Sequence, residues 1–590
     1  MKRGLIKNSR VNKVLISIFI ILIVSFIIVS PQIYQKYIVL GHDVMFHFNR
    51  FYDLYRQIET GHFNYFQSNY GFDNSGRIIN ALYGYDSAFF QAILLYITKS
   101  WLKFQIISSF LCLVTSGITM YALSKKIGIS NKFAVLSGIL YMTSACVNYY
   151  VRYQAFTGWG AAFLPLIFIP AIYALQNKEK PINSIYLAIP VAILINVHIM
   201  SAVMGVLAII PFYLVSFVQT KKKGQWIKDA FVAVLLVVLM SLNTLYSYYE
   251  VFSSNKILSP FISKSMFLDA FNLSITGPSF QRSAGVIFSI IFLITIAFSI
   301  LNWQRQTRGK KVIDSVGISF LILSSTLLPW DFLANHFTFI SIIQFPSRFS
   351  VIAYILLIIS FFLNIKGLYE MGNDKTKLII GSMALALTLL SVVSIHNIMV
   401  ENAKNWQATP LVTGDNKNDV RVESMEEVRN NFRSEDLEKA LQTISKGTPD
   451  YLPISGEYSN KEMYEKRRPY TMYINEVIKN DIVTKKEVLK DGSISLNWKQ
   501  AKKEEVILPI IIYNHSTVKI NDVNLPSKNV NKTEIGSLKM IAKKGQNHVI
   551  VGYQPKIKMS IILSIKIVTV LSVFLYLIVK IIVTKFFFNN

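Results

Sequence analysis

The residues with the clearest capacity for chemistry lie between Gly41 and Gly61, directly after the first apolar segment. This stretch places a carboxylate, two imidazoles and a guanidinium close together, on Asp43, His42, His47 and Arg50. A carboxylate can take a proton from a hydroxyl, and a guanidinium binds phosphate oxygens as a bidentate fork. Because water, lipid headgroups and protein meet at the end of a membrane helix, the stretch predicts chemistry on a polar substrate that a lipid carries.

The same stretch predicts a helix. Apolar residues recur at a spacing of three to four from Met45 to Ile58, which is typical of a helix that lies flat on the membrane surface. Asp43 precedes this helix, and aspartate is also a common N-cap residue. Two interpretations of Asp43 therefore stay open, a catalytic base and a helix cap.

The composition is that of a polytopic membrane protein. The 590 residues are 52% hydrophobic and 16% charged, and the mean hydropathy is +0.40, which excludes a soluble multidomain protein. The net charge of +27 is explained by Lys and Arg in short loops that orient helices and contact anionic membrane lipid. No nucleic-acid motif accompanies it, so no nucleic-acid partner is expected. Cys112 and Cys146 fall in apolar segments, so neither a disulfide framework nor a thiolate metal site is implied.

The apolar runs predict about twelve membrane spans with both termini in the cytoplasm. The expected spans are 14–29, 104–124, 133–150, 156–175, 184–198, 200–218, 229–247, 284–302, 313–329, 349–366, 377–398 and 559–582. A further apolar piece at 87–98 is short for a span, since about 20 residues are needed to cross the hydrocarbon. We expect it to be a surface or re-entrant helix.

Five regions follow from this pattern. They are the cytoplasmic amino terminus with the first span (1–30), a large external loop (31–103), the multi-spanning core (104–398), a small extracytoplasmic β-rich domain (399–557), and the last span with a cytoplasmic tail (558–590). In the fourth region, 424–444 has a helical pattern. Short alternating runs at 506–513 and 548–553, bounded by Asn, Gly and Pro, predict strands.

Five motifs occur in a characteristic order along the chain. They are Gly41-His42-Asp43 with Phe46-His47 and Arg50, Asn148-Tyr149-Tyr150-Val151-Arg152 to Gly158 with Leu164-Pro165-Leu166, His198 with Ser201, Gln344-Phe345-Pro346-Ser347-Arg348-Phe349, and Asp450-Tyr451-Leu452-Pro453. Together they resemble the bacterial YfhO-type membrane proteins and the related 6-pyruvoyl-tetrahydropterin-synthase-related family, both of the C-type (GT-C) glycosyltransferase superfamily. The pterin in that name has no support here, because the chain lacks a His cluster with zinc-site spacing.

The resemblance implies a GT-C-like, α-helical enzyme of the bacterial cell membrane. It would transfer a sugar from a polyprenyl-phosphate donor, made by a partner glycosyltransferase, to an external lipid or cell-envelope polymer acceptor, with Asp43 as the acidic residue. An inverting transfer needs a base for the acceptor hydroxyl and a cation for the leaving phosphate. Asp43 suits the first role, and Arg152 and Arg348 suit the second. A divalent metal can be shared by such acids in this superfamily, but no ligand spacing in this chain demands one.

The candidate substrate-binding residues lie at expected external ends of helices. They are His42, His47, Arg50, Asp86, Arg152, His198, Glu250 and Arg348. Each also has a structural interpretation: an interfacial Arg anchors a helix among headgroups, Asp86 and Glu250 can cap helices, and an isolated His is often a packing residue.

Two other functions stay open at the level of sequence. A transporter or lipid flippase would need charges near the middle of the bilayer and broken helices in paired repeats, whereas the charges here crowd the expected outer face. A non-catalytic scaffold would use the external domain to bind wall polymer or a partner.

Overall fold

A computed structural model describes residues 2–41, 43–261, 263, 265–408, 418–422, 424–456 and 458–587. Among the described residues up to 408, the regular elements are helices, apart from one small hairpin of β1 (Gln67–Ser68) and β2 (Arg77–Ile78). The helices are α1 (Lys2–Gln35), α2 (Val44–Thr60), α3 (Tyr85–Thr98), α4 (Trp101–Ile127), α5 (Asn131–Met142), α6 (Ala145–Tyr153), α7 (Thr157–Phe163), α8 (Pro165–Gln176), α9 (Ser184–Val197), α10 (Ile199–Gln219), α11 (Lys223–Met240), α12 (Leu242–Phe252), α13 (Gly285–Leu301), α14 (Arg308–Ser324), α15 (Trp330–His336), α16 (Ser350–Met371) and α17 (Asp374–Ala408).

A helix begins at or near each position at which a membrane span is expected from the sequence, but α14 ends at Ser324, before the expected end of its span at residue 329. Among the described residues, seven helices are long and apolar enough to cross a membrane. The number rises to nine if two bent pairs, α5 with α6 and α11 with α12, each form one span, while α9 and α13 are shorter apolar helices. The protein is therefore mostly helical with several apolar spans, and the count of twelve and the GT-C fold stay predictions.

The two helices of the first large loop differ in how well the sequence predicts them. The 14 residues of α3 extend about 21 Å at 1.5 Å per residue, which is shorter than a bilayer core of about 30 Å. A helix at α2 is confirmed, but a polar face turned to water is not: Arg50, Asp53 and Gln57 are at most 1% exposed. The packing of α3, α19 (Leu437–Thr443) and neighbouring loops around α2 explains the difference.

The region before the last helix is a small domain rich in strands, as expected. Its strands are β3 (Asn418–Val420), β4 (Ile444–Lys446), β5 (Lys485–Val488), β6 (Ile494–Gln500), β7 (Glu504–Ile511), β8 (Ser516–Ile520), β9 (Val523–Pro526), β10 (Ser537–Ala542) and β11 (Gly545–Tyr553). An antiparallel sheet of order β5-β6-β11-β8-β9 faces the pair β7-β10, and both contribute to one apolar core. The predicted strands at 506–513 and 548–553 are confirmed in β7 and β11.

Short helices connect these strands, and one long helix ends the chain. They are α18 (Met425–Arg433), α19, α20 (Asn460–Glu462), α21 (Pro469–Tyr473) and α22 (Met559–Phe587). The helical pattern at 424–444 is confirmed by α18 and α19.

Two arginines of α18 cap the ends of two apolar helices. Arg429 donates to the carbonyls of Trp406 and Gln407 at the end of α17, at 3.2 and 3.0 Å. Arg433 donates to the Lys36 carbonyl at 2.8 Å, beside the end of α1. Since the last carbonyls of a helix lack partners within it and carry negative partial charge, cations stabilise them. Neither α1 nor α17 has a basic residue in its own last turn.

The strand-rich domain packs directly on the first large loop. The Asn64 side chain donates to the Gly492 carbonyl at 3.0 Å, and the backbone N–H of Ile78 donates to the Tyr513 hydroxyl at 3.1 Å. Gly492 has a φ of +76°, and a Cβ there would lie 2.3 Å from the Phe63 carbonyl oxygen. This position therefore requires glycine, and the contact fixes the loop that carries α2.

Candidate functional site

Asp43 lies at the start of α2 with an exposed side chain. Its backbone carbonyl accepts from the His47 N–H at 3.0 Å, but within the described part of the chain its carboxylate accepts no capping hydrogen bond. The interpretation of Asp43 as a side-chain cap thus lacks support, and the carboxylate is available to a substrate. His42 lies outside the described residues.

Arg50 lies two turns further along α2 and is completely buried. Its Nε donates to Asn80 Oδ1 at 3.2 Å, its Nη1 contacts His47 Nδ1 at 3.0 Å, and its Nη2 donates to the Tyr83 carbonyl. Burial lowers the pKa of Arg50 to about 10, so the group is still charged at neutral pH.

Arg348 is the second arginine of this site. It is half-buried, donates to the Ile343 carbonyl at 3.1 Å and lies over the Phe345 ring. In the part of the chain that the structure describes, neither Arg50 nor Arg348 forms an ion pair with a carboxylate. Because an unpaired cation out of water is costly, this arrangement favours an anionic ligand.

Tyr83 connects the charged groups. Its ring lies 4.6 Å from the Arg50 guanidinium carbon, and it contacts the rings of His198 and Tyr451. Burial and then the charge of Asp43 raise the pKa of the Tyr83 hydroxyl, Arg50 and Arg348 oppose the rise, and the resulting pKa is about 12. The pKa of the hydroxyl thus responds to all three charges. We call Asp43, Arg50, Arg348 and Tyr83 the Asp43 cluster.

Gly84 holds Tyr83 against the junction of α9 and α10. Its φ is +71°, and a Cβ would lie 2.9 Å from the Val197 carbonyl oxygen and 3.1 Å from that of Asn196. Only glycine combines that backbone conformation with so close an approach. The contact brings the loop of Tyr83 beside His198.

Both described imidazoles of this region are neutral at pH 7. Burial, and then the charges of Arg50 and Lys446, lower the pKa of His47. Burial, Arg348 and Arg50 lower the pKa of His198 to about 3. His198 Nδ1 accepts from the Ser201 N–H at 3.2 Å and so caps α10. These groups can orient a substrate by hydrogen bonds, but they add no positive charge.

Three predicted candidates make their contacts elsewhere. Arg152 donates to the Ser279 carbonyl at 3.3 Å and lies 4.3 Å from the Phe280 ring centre. Asp86 accepts from the Asn243 amide at 3.0 Å and pairs with Lys566 of α22. Glu250 is fully buried and contacts His515 Nδ1 of the strand-rich domain at 2.6 Å. In these positions Asp86 and Glu250 join elements of the fold, and their predicted roles in substrate binding stay predictions.

Sequence reasoning missed other groups around the Asp43 cluster. They are Asn80, Tyr83, Tyr149, Lys446 and Asp450. Asp450 begins one of the five motifs, and Tyr149 lies inside another, so both had a signal. Lys446 ends a short strand some 400 residues after His47, and no local pattern connects the two.

A buried carboxylate lies on the other side of Arg50. Asp53 accepts from the Tyr70 N–H at 2.9 Å, the Gln57 amide at 3.1 Å and the Asn80 amide at 3.2 Å. Asn80 therefore bridges Asp53 and Arg50. Burial raises the pKa of Asp53 to about 6, although the backbone donors oppose the rise.

Asp53 is expected to make stability depend on pH in mildly acidic solution. Its folded pKa of about 6 exceeds the unfolded value of 3.8, so between these pH values the folded state binds more protons. Stability is then lost as the pH rises from about 4 to about 6. Thermal unfolding in detergent should show the wild type losing stability relative to Asp53→Asn over this range. A constant difference between the two proteins would contradict the shift.

The divalent metal that the resemblance allows stays a prediction. In the described residues, which exclude His42, no three His, Cys, Asp or Glu side chains come close enough to hold an ion. We therefore assign no step to a metal.

No family model matches this chain, and no curated protein matches it significantly. Its function is thus inferred from the residues and geometry above.

Proposed function

We propose that the protein is a membrane glycosyltransferase that transfers a sugar from a polyprenyl-phosphate donor to a lipid or cell-envelope polymer acceptor. The observation that carries the proposal is the Asp43 cluster, in which the exposed Asp43 carboxylate and two arginines act electrostatically on the Tyr83 hydroxyl. Within the described residues, neither arginine pairs with a carboxylate. Several described helices are long and apolar enough to cross a membrane, which suits a donor with a long apolar chain.

The proposed reaction is a single displacement. The acceptor hydroxyl attacks the anomeric carbon, the bond from that carbon to the phosphate oxygen breaks, and polyprenyl phosphate leaves with the electron pair. Asp43 takes the hydroxyl proton as general base. Arg348 and Arg50 stabilise the charge that develops on the phosphate.

A transporter or flippase is the second candidate function. The bent pair α11 and α12, which meet at 70°, is the observation that favours it, since broken helices are typical of transport sites. Asp43 is instead exposed at the start of α2, which is not among the helices long and apolar enough to cross a membrane, and this favours chemistry at the membrane surface. A scaffold offers no reason for a buried arginine that lacks a carboxylate partner among the described residues.

Comparative analysis of cells tests the proposal directly. Lipids and envelope glycans are compared between cells with and without the protein. The proposal expects one sugar substituent to be lost from a lipid or polymer, together with accumulation of its prenyl-linked donor. An unchanged glycan profile with altered lipid distribution between leaflets would indicate transport instead.

Arg348→Lys is expected to weaken donor binding. Lysine keeps the charge but loses the bidentate fork that matches a phosphate. A charged hydrogen bond contributes about 1.5–3 kcal/mol, so the KM for the prenyl-phosphate sugar should rise roughly 10- to 100-fold, while the KM for the acceptor stays similar. Arg467→Lys is the matched control, because Arg467 pairs with Glu534 at the surface of the strand-rich domain. Equal effects in the two variants would contradict the role of Arg348.

A further inference from the structure

Two connections at the same end of the helix bundle as the strand-rich domain expose large apolar side chains. We call them the apolar loops, residues 265–280 between α12 and α13 and residues 325–343 between α14 and α16. The most exposed side chains are Ile275 at 90%, Leu327 at 77% and Leu268 at 70%. Exposed apolar groups on this scale mark interaction surfaces when they lie together.

The apolar loops form one unit rather than two separate turns. The Phe271 N–H donates to the Ser324 carbonyl at 2.7 Å, where the second loop begins. Asp331 accepts from the Ser265 hydroxyl at 2.8 Å and from the Phe267 N–H at 3.1 Å. The exposed apolar side chains are therefore presented from a connected surface.

The titratable groups of this unit are few and make contacts within it. Asp269 pairs with Arg282 and accepts from the Ser263 hydroxyl. Asp331 holds the contacts just given, and His336 lies against the Phe332 ring. The described apolar loops carry only two carboxylates and one imidazole. Moving so few charged groups out of water costs far less free energy than moving those of an ordinary external loop would.

The unit contacts one arginine of the candidate site and leads into an apolar helix. Its Ile343 carbonyl accepts from Arg348. The first apolar loop leads along the chain into α13, an apolar helix on which Leu293 and Ile294 are also exposed. This continuity identifies the partner, because the apolar surface of a spanning helix faces lipid acyl chains.

We propose that the apolar loops insert into the membrane leaflet on the side of the strand-rich domain and bind its lipid. Amphipathic segments of this kind bury their apolar side at the boundary of headgroups and acyl chains. This inference does not require sugar transfer and would hold for a transporter as well.

Fluorescent labelling of the full chain in liposomes tests the insertion. Cys112 and Cys146 are first replaced by Ala, and single cysteines at Leu268, Ile275 or Leu327 are labelled with an environment-sensitive nitrobenzoxadiazole probe. Val523 and Ile541 serve as controls, since both are apolar and more than half exposed but lie on strands of the small domain. Lipids carrying a nitroxide near the top of the acyl chain act as quencher.

The loop positions are expected to emit at shorter wavelength than the controls and to lose at least half of their intensity to the nitroxide lipid. The controls should keep aqueous emission with little quenching. Emission at the loop positions equal to that of the controls would overturn the proposal. A shift to shorter wavelength without lipid quenching would also overturn it, because a second copy or another part of the protein would then cover the loops.

Discussion

Asp43→Asn is expected to abolish sugar transfer while leaving the protein folded. General-base catalysis contributes about 10²- to 10⁴-fold to rate, so turnover should fall by that factor. The amide is nearly isosteric and cannot accept the hydroxyl proton. Binding of the prenyl-phosphate donor should change little, because the arginines are untouched. Transfer of labelled sugar by the purified protein in detergent, at saturating donor and acceptor, measures the loss.

The matched control is Asp522→Asn. Asp522 is exposed and pairs with Lys519 on the strand-rich domain, so its loss should leave turnover unchanged. Full activity of the Asp43→Asn protein would contradict the assignment of the base and leave the transporter and scaffold hypotheses in place. Equal thermal unfolding of both variants and the wild type excludes a folding defect.

Glu250→Ala is expected to give the largest loss of stability. The Glu250 carboxylate is fully buried, contacts His515 Nδ1 at 2.6 Å, and accepts from the Tyr246 hydroxyl at 3.0 Å and the Lys556 N–H at 3.2 Å. Its removal leaves these groups without their acceptor. A buried donor left without its acceptor costs about 1–3 kcal/mol, and several donors are affected here, which should lower the Tm clearly and expose the connection between β11 and α22 to protease.

Two comparisons sharpen this result. Glu250→Gln keeps an acceptor oxygen and should recover part of the lost stability. Glu179→Ala removes a carboxylate that is 80% exposed beside Lys222, and exposed pairs contribute little, so its Tm should match the wild type. A Tm for Glu250→Ala equal to that of Glu179→Ala would show that this contact does not hold the strand-rich domain on the helices.

The sequence predicts the helices well because their signal is local. Runs of apolar residues identify the helical positions, and alternation bounded by Gly, Pro and Asn identifies β7 and β11. The surroundings of α2 depend on distant parts of the chain. The local pattern predicts that Arg50, Asp53 and Gln57 face water, but the loop after α2 and the small domain cover them. A periodic pattern describes one element and carries no information about what a distant segment buries.

In the candidate site, too, the sequence identifies individual residues but not their distant contacts. The sequence identifies Asp43, Arg50 and Arg348 by residue type and position near helix ends. It gives no sign that Asp86 pairs with a lysine of the last helix or that Glu250 joins a histidine of the small domain. Those partners are more than 250 positions away along the chain.

The cap that Arg433 places on the end of α1 has a consequence for biosynthesis. The two residues it joins, Lys36 and Arg433, are 397 positions apart. At about 5–20 residues per second, a ribosome needs roughly 20 to 80 s to make the intervening chain. The end of α1 therefore lacks this cap during that time, and a nascent chain truncated before Arg433 should leave α1 more readily extracted from a membrane.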